Sequence, residues 1–444
     1  MHATGEATQT LLARLAGARQ ITDDLFRIVK SDSLCERPIP ERHRIIFYIG
    51  HLEAFDWNLL SERLLRLKPF NPDFDRLFAF GIDPVGGGLP TDQPSDWPAV
   101  SRVEEYCRQV RNIIDQALEG FDEWAAQRED AELSFGTLLN VAIEHRLMHA
   151  ETLAYMFHQL PLEHKTRVES RPGKVFGSVA ARMISIPAGE IALGLHLRKG
   201  DEFGWDNEFE FHAVSVPAFE IDQYEVTNGQ FLDFIAAGGY ENRSLWTDEG
   251  WEWIATSKIA HPVFWKKDGD NWNYRGMFDE IPLPPDWPVI VSHAEASAYA
   301  RWAGKQLPTE AQWQRAAYGT PLGWEREYPW GNDAPDRVRG NFDFFRWDLE
   351  AVNAYPAGQS AFGVTDLAGN CWEWTSTVFE PFQGFKPFPF YPGYSANFFD
   401  GKHYVLKGGS ARTAACMLRK SFRNWFQTHY QYVYAGFRCV KNQS

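Results

Sequence analysis

Two histidines four residues apart, His145 and His149 in EHRLMHAET (144–152), have the spacing best suited to chemistry in this sequence. On an α-helix, positions i and i+4 differ by about 40° of rotation, so both imidazoles lie on one face and can reach one metal ion. At about 100° per residue, Glu151 points away from that face, and Glu144 and His158 also fall off it. Glu151 therefore reads as a supporting or structural residue. A third ligand has to come from another element. His51, in YIGHLEAFDWN, stands in an otherwise apolar helical stretch with Phe47, Tyr48 and Phe55. A histidine there is either buried and hydrogen-bonded or a ligand, and helical bundles build metal sites from facing helices. Three imidazoles without a thiolate suit Zn, Fe, Ni or Cu. Tetrahedral zinc would keep one open position and octahedral Fe(II) three. Residue types alone leave that choice open, together with the reading in which these histidines are only a polar helix face.

The elements that must hold these residues follow from hydrophobic periodicity. Four segments within residues 1–165 carry apolar residues at spacings of three and four: ATQTLLARLAGARQITDDLFRIV, RHRIIFYIGHLEAFDWNLLSERLLRL, AVSRVEEYCRQVRNIIDQALEGF and SFGTLLNVAIEHRLMHAETLAYMFHQL. They predict a four-helix bundle. The connection from about 67 to 97, rich in Pro, Gly and Asp, is long enough to expect a functional or self-packed loop. Residues 166–180, TRVESRPGKVFGSVA, are polar with a Pro-Gly step and read as a linker. From 181 to 444 the pattern changes. Short alternating pieces such as FEFHAVSVPAFEIDQYEVT are separated by Gly, Pro and Asp turns, with helices expected near 228–237, 294–304 and 309–317. This half is α+β with much irregular chain.

Composition narrows the function classes. The net charge of −15 argues against binding nucleic acid or an anionic membrane. No run of about 18 apolar residues occurs, so no membrane-spanning helix is expected. MHATGEATQTLLARL lacks the pattern of a secretory leader. The five cysteines are widely spaced with no CxxC pair, which fits a reducing cytoplasm. Aromatics at 15%, including 18 Trp, predict rings that hold a loop-rich fold or line a site.

Several stretches of the second half resemble the formylglycine-generating enzyme/sulfatase-modifying family. They are FEIDQYEVTNGQFLDF, PVIVSHAEASAYARWAGKQLPTEAQWQRAAYG, YPWGN, GVTDLAGNCWEWT, VLKGGS and AGFRCV, in family order. The resemblance implies a C-type-lectin-like fold. Thr309 can cap the helix after LP, the glycines of LAGN and KGGS suit tight turns, and Trp372 and Trp374 alternate in a strand expected to bury one side. Formylglycine generation itself is not expected, because Cys416 and Cys439 are not a closely spaced pair.

The first half resembles the DinB-type bundle, with IGHLEAFDWN and EHRLMHAE at its metal-ligand positions. Together with FGWDNE and RNW, the whole chain resembles the ergothioneine-pathway sulfoxide synthases. That resemblance implies non-haem Fe(II) held by His51, His145 and His149. It also implies O2-dependent joining of a thiol sulfur to the imidazole C2 of hercynine. In the family a tyrosine of the second domain donates a proton. The matching stretch, FPFYPGYSANFF, offers Tyr391 as donor and Tyr394 as a hercynine contact, and Tyr106 is an alternative donor from the bundle. Asn424 and Trp425 match positions lining the hercynine pocket, an amide for the carboxylate and an indole for the trimethylammonium. Relatives that use γ-glutamylcysteine carry an acid after RNW and arginines beyond it. Here Phe426 and Tyr430 stand where charge would be, and Met148 replaces the usual Gln before the second helix histidine. This pattern resembles the branch that takes free cysteine. γ-Glutamylcysteine, another thiol or a selenium donor remains an alternative, as does a zinc-dependent thiol transferase of the DinB type.

Overall fold

The computed structural model describes residues 2–79, 89–119, 134–169, 179–196 and 203–442. Contacts divide the chain into two units, Met1–Val168 and Glu169–Ser444.

The first unit carries the four expected long helices, α1 (His2–Phe26), α2 (Ile45–Leu60), α4 (Val100–Glu119) and α5 (Phe135–Gln159). A short α3 (Pro72–Leu77) lies within the connection expected to be a loop. Pro72 at its start and the Asn71 side chain, which accepts from the Phe74 N–H, explain why it nucleates there. The described part of that connection is also tied down by Asp92, which accepts from Arg44 and from the Trp97 indole at 2.8 Å.

Helix α5 begins where Ser134 Oγ accepts the Thr137 N–H at 3.1 Å and ends at Leu160, before Pro161. Helices α2 and α5 are buried on almost every face, which is why their sequences read as apolar nearly all round. α1 packs on α5, and α2 packs on α4 and α5. α2 then runs into a π-helical turn over Ser61–Leu65, closed by Arg66 in the left-handed region.

The second unit is built from small sheets and short helices. Strands β1 (Met183–Ile186), β4 (Phe219–Asp222) and β12 (Val440–Asn442) form one sheet. β2 (Gly189–Leu193) pairs with β3 (His212–Val216), and β5 (Trp265–Asp268), β6 (Asn271–Arg275) and β7 (Glu280–Pro282) form a meander. The largest sheet has the order β10-β9-β8-β11, from β8 (Trp372–Val378), β9 (His403–Lys407), β10 (Asn424–Gln427) and β11 (Ala435–Gly436).

The three expected helices are α6 (Asn228–Ala236), α8 (His293–Trp302) and α9 (Glu310–Tyr318), the last capped by Thr309 as its sequence predicts. A fourth, α7 (Asp248–Ser257), was not expected. Its start signal is present in the sequence, with Thr247 accepting the Gly250 N–H ahead of Asp248 and Glu249 in the first turn.

β8 also corrects an expectation, since both of its faces are buried at Trp372–Thr375. It lies inside the sheet, and Glu373, opposite the two tryptophans, holds the Arg438 guanidinium at 2.6 and 2.8 Å. The five cysteines are free, with Cys416 exposed and Cys439 buried. No helix among the described residues is long and apolar enough to cross a membrane.

Candidate metal centre and substrate-binding residues

His51 of α2 and His145 and His149 of α5 converge inside the bundle. Their nearest ring nitrogens lie within 4.8 Å of one another, and all three side chains are buried. The Nε2 atom of His149 is 3.2 Å from that of His51 and 3.2 Å from that of His145. A metal–nitrogen bond of about 2.1 Å places neighbouring nitrogens about 3.0 Å apart at right angles and about 3.4 Å apart at the tetrahedral angle. The two 3.2 Å spacings lie between these values, so both pairs are close enough to share one metal ion.

His51 is oriented by its other nitrogen. Nδ1 donates to the Phe78 carbonyl at 2.7 Å, which fixes the tautomer and leaves the Nε2 lone pair facing the other two rings. Burial pushes the His51 pKa down to about 4, against the pull of that backbone bond. Burial, and then the neighbouring imidazoles, hold His145 and His149 well below the usual histidine range. All three are neutral at pH 7, the form that ligates. Phe55 stacks on His145 at 3.4 Å between centroids and Phe47 on His51 at 4.9 Å, so the rings are held in an aromatic wall. Glu144 and Glu151 are buried, and neither belongs to the converging group.

An ionic network, unanticipated from sequence, fixes the helices that carry the ligands. Arg146, next to His145, donates to Glu53 at 2.9 Å, to Asp56 at 2.7 Å and to the Leu52 carbonyl at 3.0 Å. Arg111 of α4 joins Glu53 at 2.7 Å to Asp23 of α1 at 2.7 Å. Burial alone would raise the Glu53 pKa, but the guanidiniums of Arg146, Arg111 and Arg19 hold it near 2. A visible signal for this network existed: Glu53, Asp56 and Arg146 are charges inside apolar helical runs, where an unpaired charge is costly.

Tyr106 also lies in this unit. It is buried, and its hydroxyl donates to Asp75 at 2.7 Å. Burial and that carboxylate raise its pKa far above the usual phenol value. Met148 is half-buried on α5, and its carbonyl accepts from Thr152 at 3.1 Å.

In the second unit an aromatic cluster gathers most of the sequence candidates. Trp425 of β10 lies flat on Phe379 at 4.3 Å and meets Tyr394 edge-on at 5.4 Å. Tyr394 stacks on Trp205 at 4.0 Å and lies 5.6 Å from half-buried Tyr391. Asn424 is half-buried, and its side-chain oxygen accepts the Trp425 N–H at 2.9 Å. Strand alternation sends Phe426 to the other side of β10, where it stacks on Tyr430 at 4.9 Å.

Comparison with known proteins places these two units in a recognised pairing. The sulfatase-modifying factor enzyme 1-like domain family matches residues 172–443, and the DinB superfamily matches residues 14–153. The chain is 37% identical over 407 residues to hercynine oxygenase of Mycolicibacterium thermoresistibile, covering 88% of this chain and 85% of the relative. It is 36% identical over 440 residues to hercynine oxygenase of Mycobacterium tuberculosis, covering 97% and 98%. The chain belongs to the hercynine oxygenase family. A formylglycine-generating enzyme of Streptomyces coelicolor is 33% identical over 260 residues, covering 51% of this chain and 77% of the relative. The hercynine oxygenase relatives cover 88% and 97% of this chain, against 51% for that enzyme.

Proposed function

We propose that the chain is an O2-dependent sulfoxide synthase of ergothioneine biosynthesis. It joins the sulfur of a thiol donor, L-cysteine, to the imidazole C2 of hercynine, using Fe(II) held by His51, His145 and His149. The observation that carries this reading is the convergence of three buried, neutral imidazole nitrogens in a chain related over nearly its full length to hercynine oxygenases. Bound to three nitrogens, Fe(II) supplies open positions for substrates and dioxygen and the redox chemistry that O2 requires.

The chain's own residues do the rest. The Phe78 carbonyl aims the His51 lone pair, and Phe47 and Phe55 hold the His51 and His145 rings by stacking. Trp425 and Tyr394 present aromatic surface to the trimethylammonium of hercynine, and the Asn424 amide hydrogen-bonds its carboxylate. Tyr391 supplies the proton that steers turnover toward C–S bond formation and away from simple thiol oxidation. Half-burial favours Tyr391 in that role over Tyr106, whose hydroxyl is engaged by Asp75.

Free cysteine is favoured as donor because Phe426 and Tyr430 pair as apolar rings where a glutamyl group would need charge. Met148 likewise brings no polar side chain to the α5 ligand face.

Mass spectrometry of aerobic reactions containing Fe(II), hercynine and either cysteine or γ-glutamylcysteine tests the assignment. The cysteine adduct is expected to dominate and to vanish without O2 or iron. Turnover with zinc alone, or without O2, would overturn it.

A further inference from the structure

The segment FGWDNE (203–208) is absorbed by neither the metal centre nor the substrate contacts, yet several of its side chains are buried in unusual surroundings. Trp205, Asp206, Asn207 and Glu208 are each no more than 1% exposed. Gly204 packs so closely that a Cβ there would come within 2.6 Å of Leu195 Cδ1.

Two acids of this short turn point to two different parts of the chain. Asp206 accepts the hydroxyl of Ser395, the residue following Tyr394, while its neighbour Trp205 stacks on the Tyr394 ring. Burial pushes the Asp206 carboxyl up to about 6, opposed by Ser395 and by the backbone N–H groups of Phe388 and Asn207. Glu208 turns the other way. It accepts from Arg419 Nε at 2.8 Å and from Ser421 Oγ at 2.6 Å, and it caps its own turn through the Trp205 N–H at 2.9 Å. Arg423, which leads directly into Asn424 and Trp425, donates to the Asn207 carbonyl at 3.4 Å and to Glu310 at 3.0 Å.

We infer that residues 204–208 are a positioning hub. Asp206 holds the loop that carries Tyr391 and Tyr394, Glu208 and the Asn207 carbonyl hold the segment Arg419–Arg423 that leads into Asn424 and Trp425, and the turn between them sets one against the other. Neither acid touches substrate in this scheme. Each acts through the residues it anchors, so the two should fail in different ways. The inference rests on the reading of Tyr391 as donor and of Asn424 and Trp425 as hercynine contacts.

The experiment uses the full-length iron-loaded enzyme with Asp206→Ala, Ser395→Ala, Ser395→Thr, Glu208→Gln and Tyr391→Phe. Hydrogen exchange is read alongside product analysis. Asp206→Ala and Ser395→Ala should each lower protection at the amides of Tyr391, Tyr394 and Phe398 about tenfold and leave β10 protected. They should also move the ratio of C–S product to oxidised thiol by a factor on the order of ten to a hundred, with the hercynine KM nearly constant. Ser395→Thr, which keeps the hydroxyl, should restore the ratio. Glu208→Gln should loosen β10 and raise the hercynine KM while preserving the ratio.

Equal effects of both acids on both readouts would mean general destabilisation and would overturn the hub. So would a product ratio unmoved by Asp206→Ala when Tyr391→Phe does move it. If Tyr391→Phe leaves the ratio unchanged, the donor assignment fails. The hub is then supported by the split in exchange and KM between the two acids, and overturned if that split is absent.

Discussion

The Phe78 carbonyl takes the Nδ1 proton of His51, so the lone pair of Nε2 faces its two partners on α5. Loss of this residue should therefore be felt as lost metal before it is felt as lost fold. His51→Ala is expected to bind iron at well below one equivalent and to slow C–S coupling by at least about a hundredfold, checked by elemental analysis and turnover on the same sample. Tyr391→Phe should retain iron and consume O2, with the products shifted toward oxidised thiol. Retention of the native product ratio would remove Tyr391 as the donor.

A third residue reports on acid stability. His293 is buried against Tyr404, stacked at 3.9 Å, and its Nε2 has no hydrogen-bond partner among the described residues. Burial depresses its pKa to about 3, against a backbone bond at Thr375. The folded state thus refuses a proton that the unfolded chain accepts below about 6.5. The sign follows: its contribution is intact above pH 6.5 and is lost as pH falls from there toward 3, by up to about 1.4 kcal/mol per pH unit. His293→Phe should flatten that limb of the stability curve in denaturant titrations run at successive pH values.

At the scale of elements, α2 and α5 are held in register by charge as well as by packing. Arg146 is 1% exposed and Asp56 is fully buried, so each depends on its partner for compensation. Arg146→Met would leave Glu53 and Asp56 without their shared cation, a loss of about 3–5 kcal/mol by the usual cost of breaking a buried pair. Equilibrium unfolding in guanidinium should show it. The triple replacement Arg146→Met, Glu53→Gln, Asp56→Asn should recover much of the loss, because no buried charge is then left unpaired. The same logic explains why β8 tolerates a buried Glu373: Arg438 satisfies both of its oxygens.

At the scale of the whole molecule, each unit has its own core and its own family, and the proposed metal is ligated entirely within the first. Were the proposed iron to bind the folded bundle and not the unfolded chain, a hundredfold excess over its Kd should stabilise that unit by about 2.7 kcal/mol. Calorimetry with and without a chelator should shift the transition that unfolds the bundle and leave the other in place. A uniform shift of both would mean that the two units unfold as one.

Spacing and length together marked the four long helices: α4 leaves an apolar stripe in the chain, while α2 and α5, buried nearly all round, leave long apolar runs. The i, i+4 rule paired His145 with His149 and set Glu144 and Glu151 aside, because rotation per residue is a local property. The capping signal at Thr309 and the turn glycines were legible for the same reason. His51 stood out as a third-ligand candidate because it is a histidine in an apolar helical stretch, and the motifs added the family and the implied Fe(II). Folding decided what spacing along the chain could not express. It brought His51 to within 3.2 Å of His149, gave its Nδ1 proton to Phe78, and paired Arg146 with two acids of another helix. It also buried both faces of β8 and tied Asp206 and Glu208 to segments almost two hundred residues or more away. These are long-range contacts whose energies depend on desolvation and on distances in space.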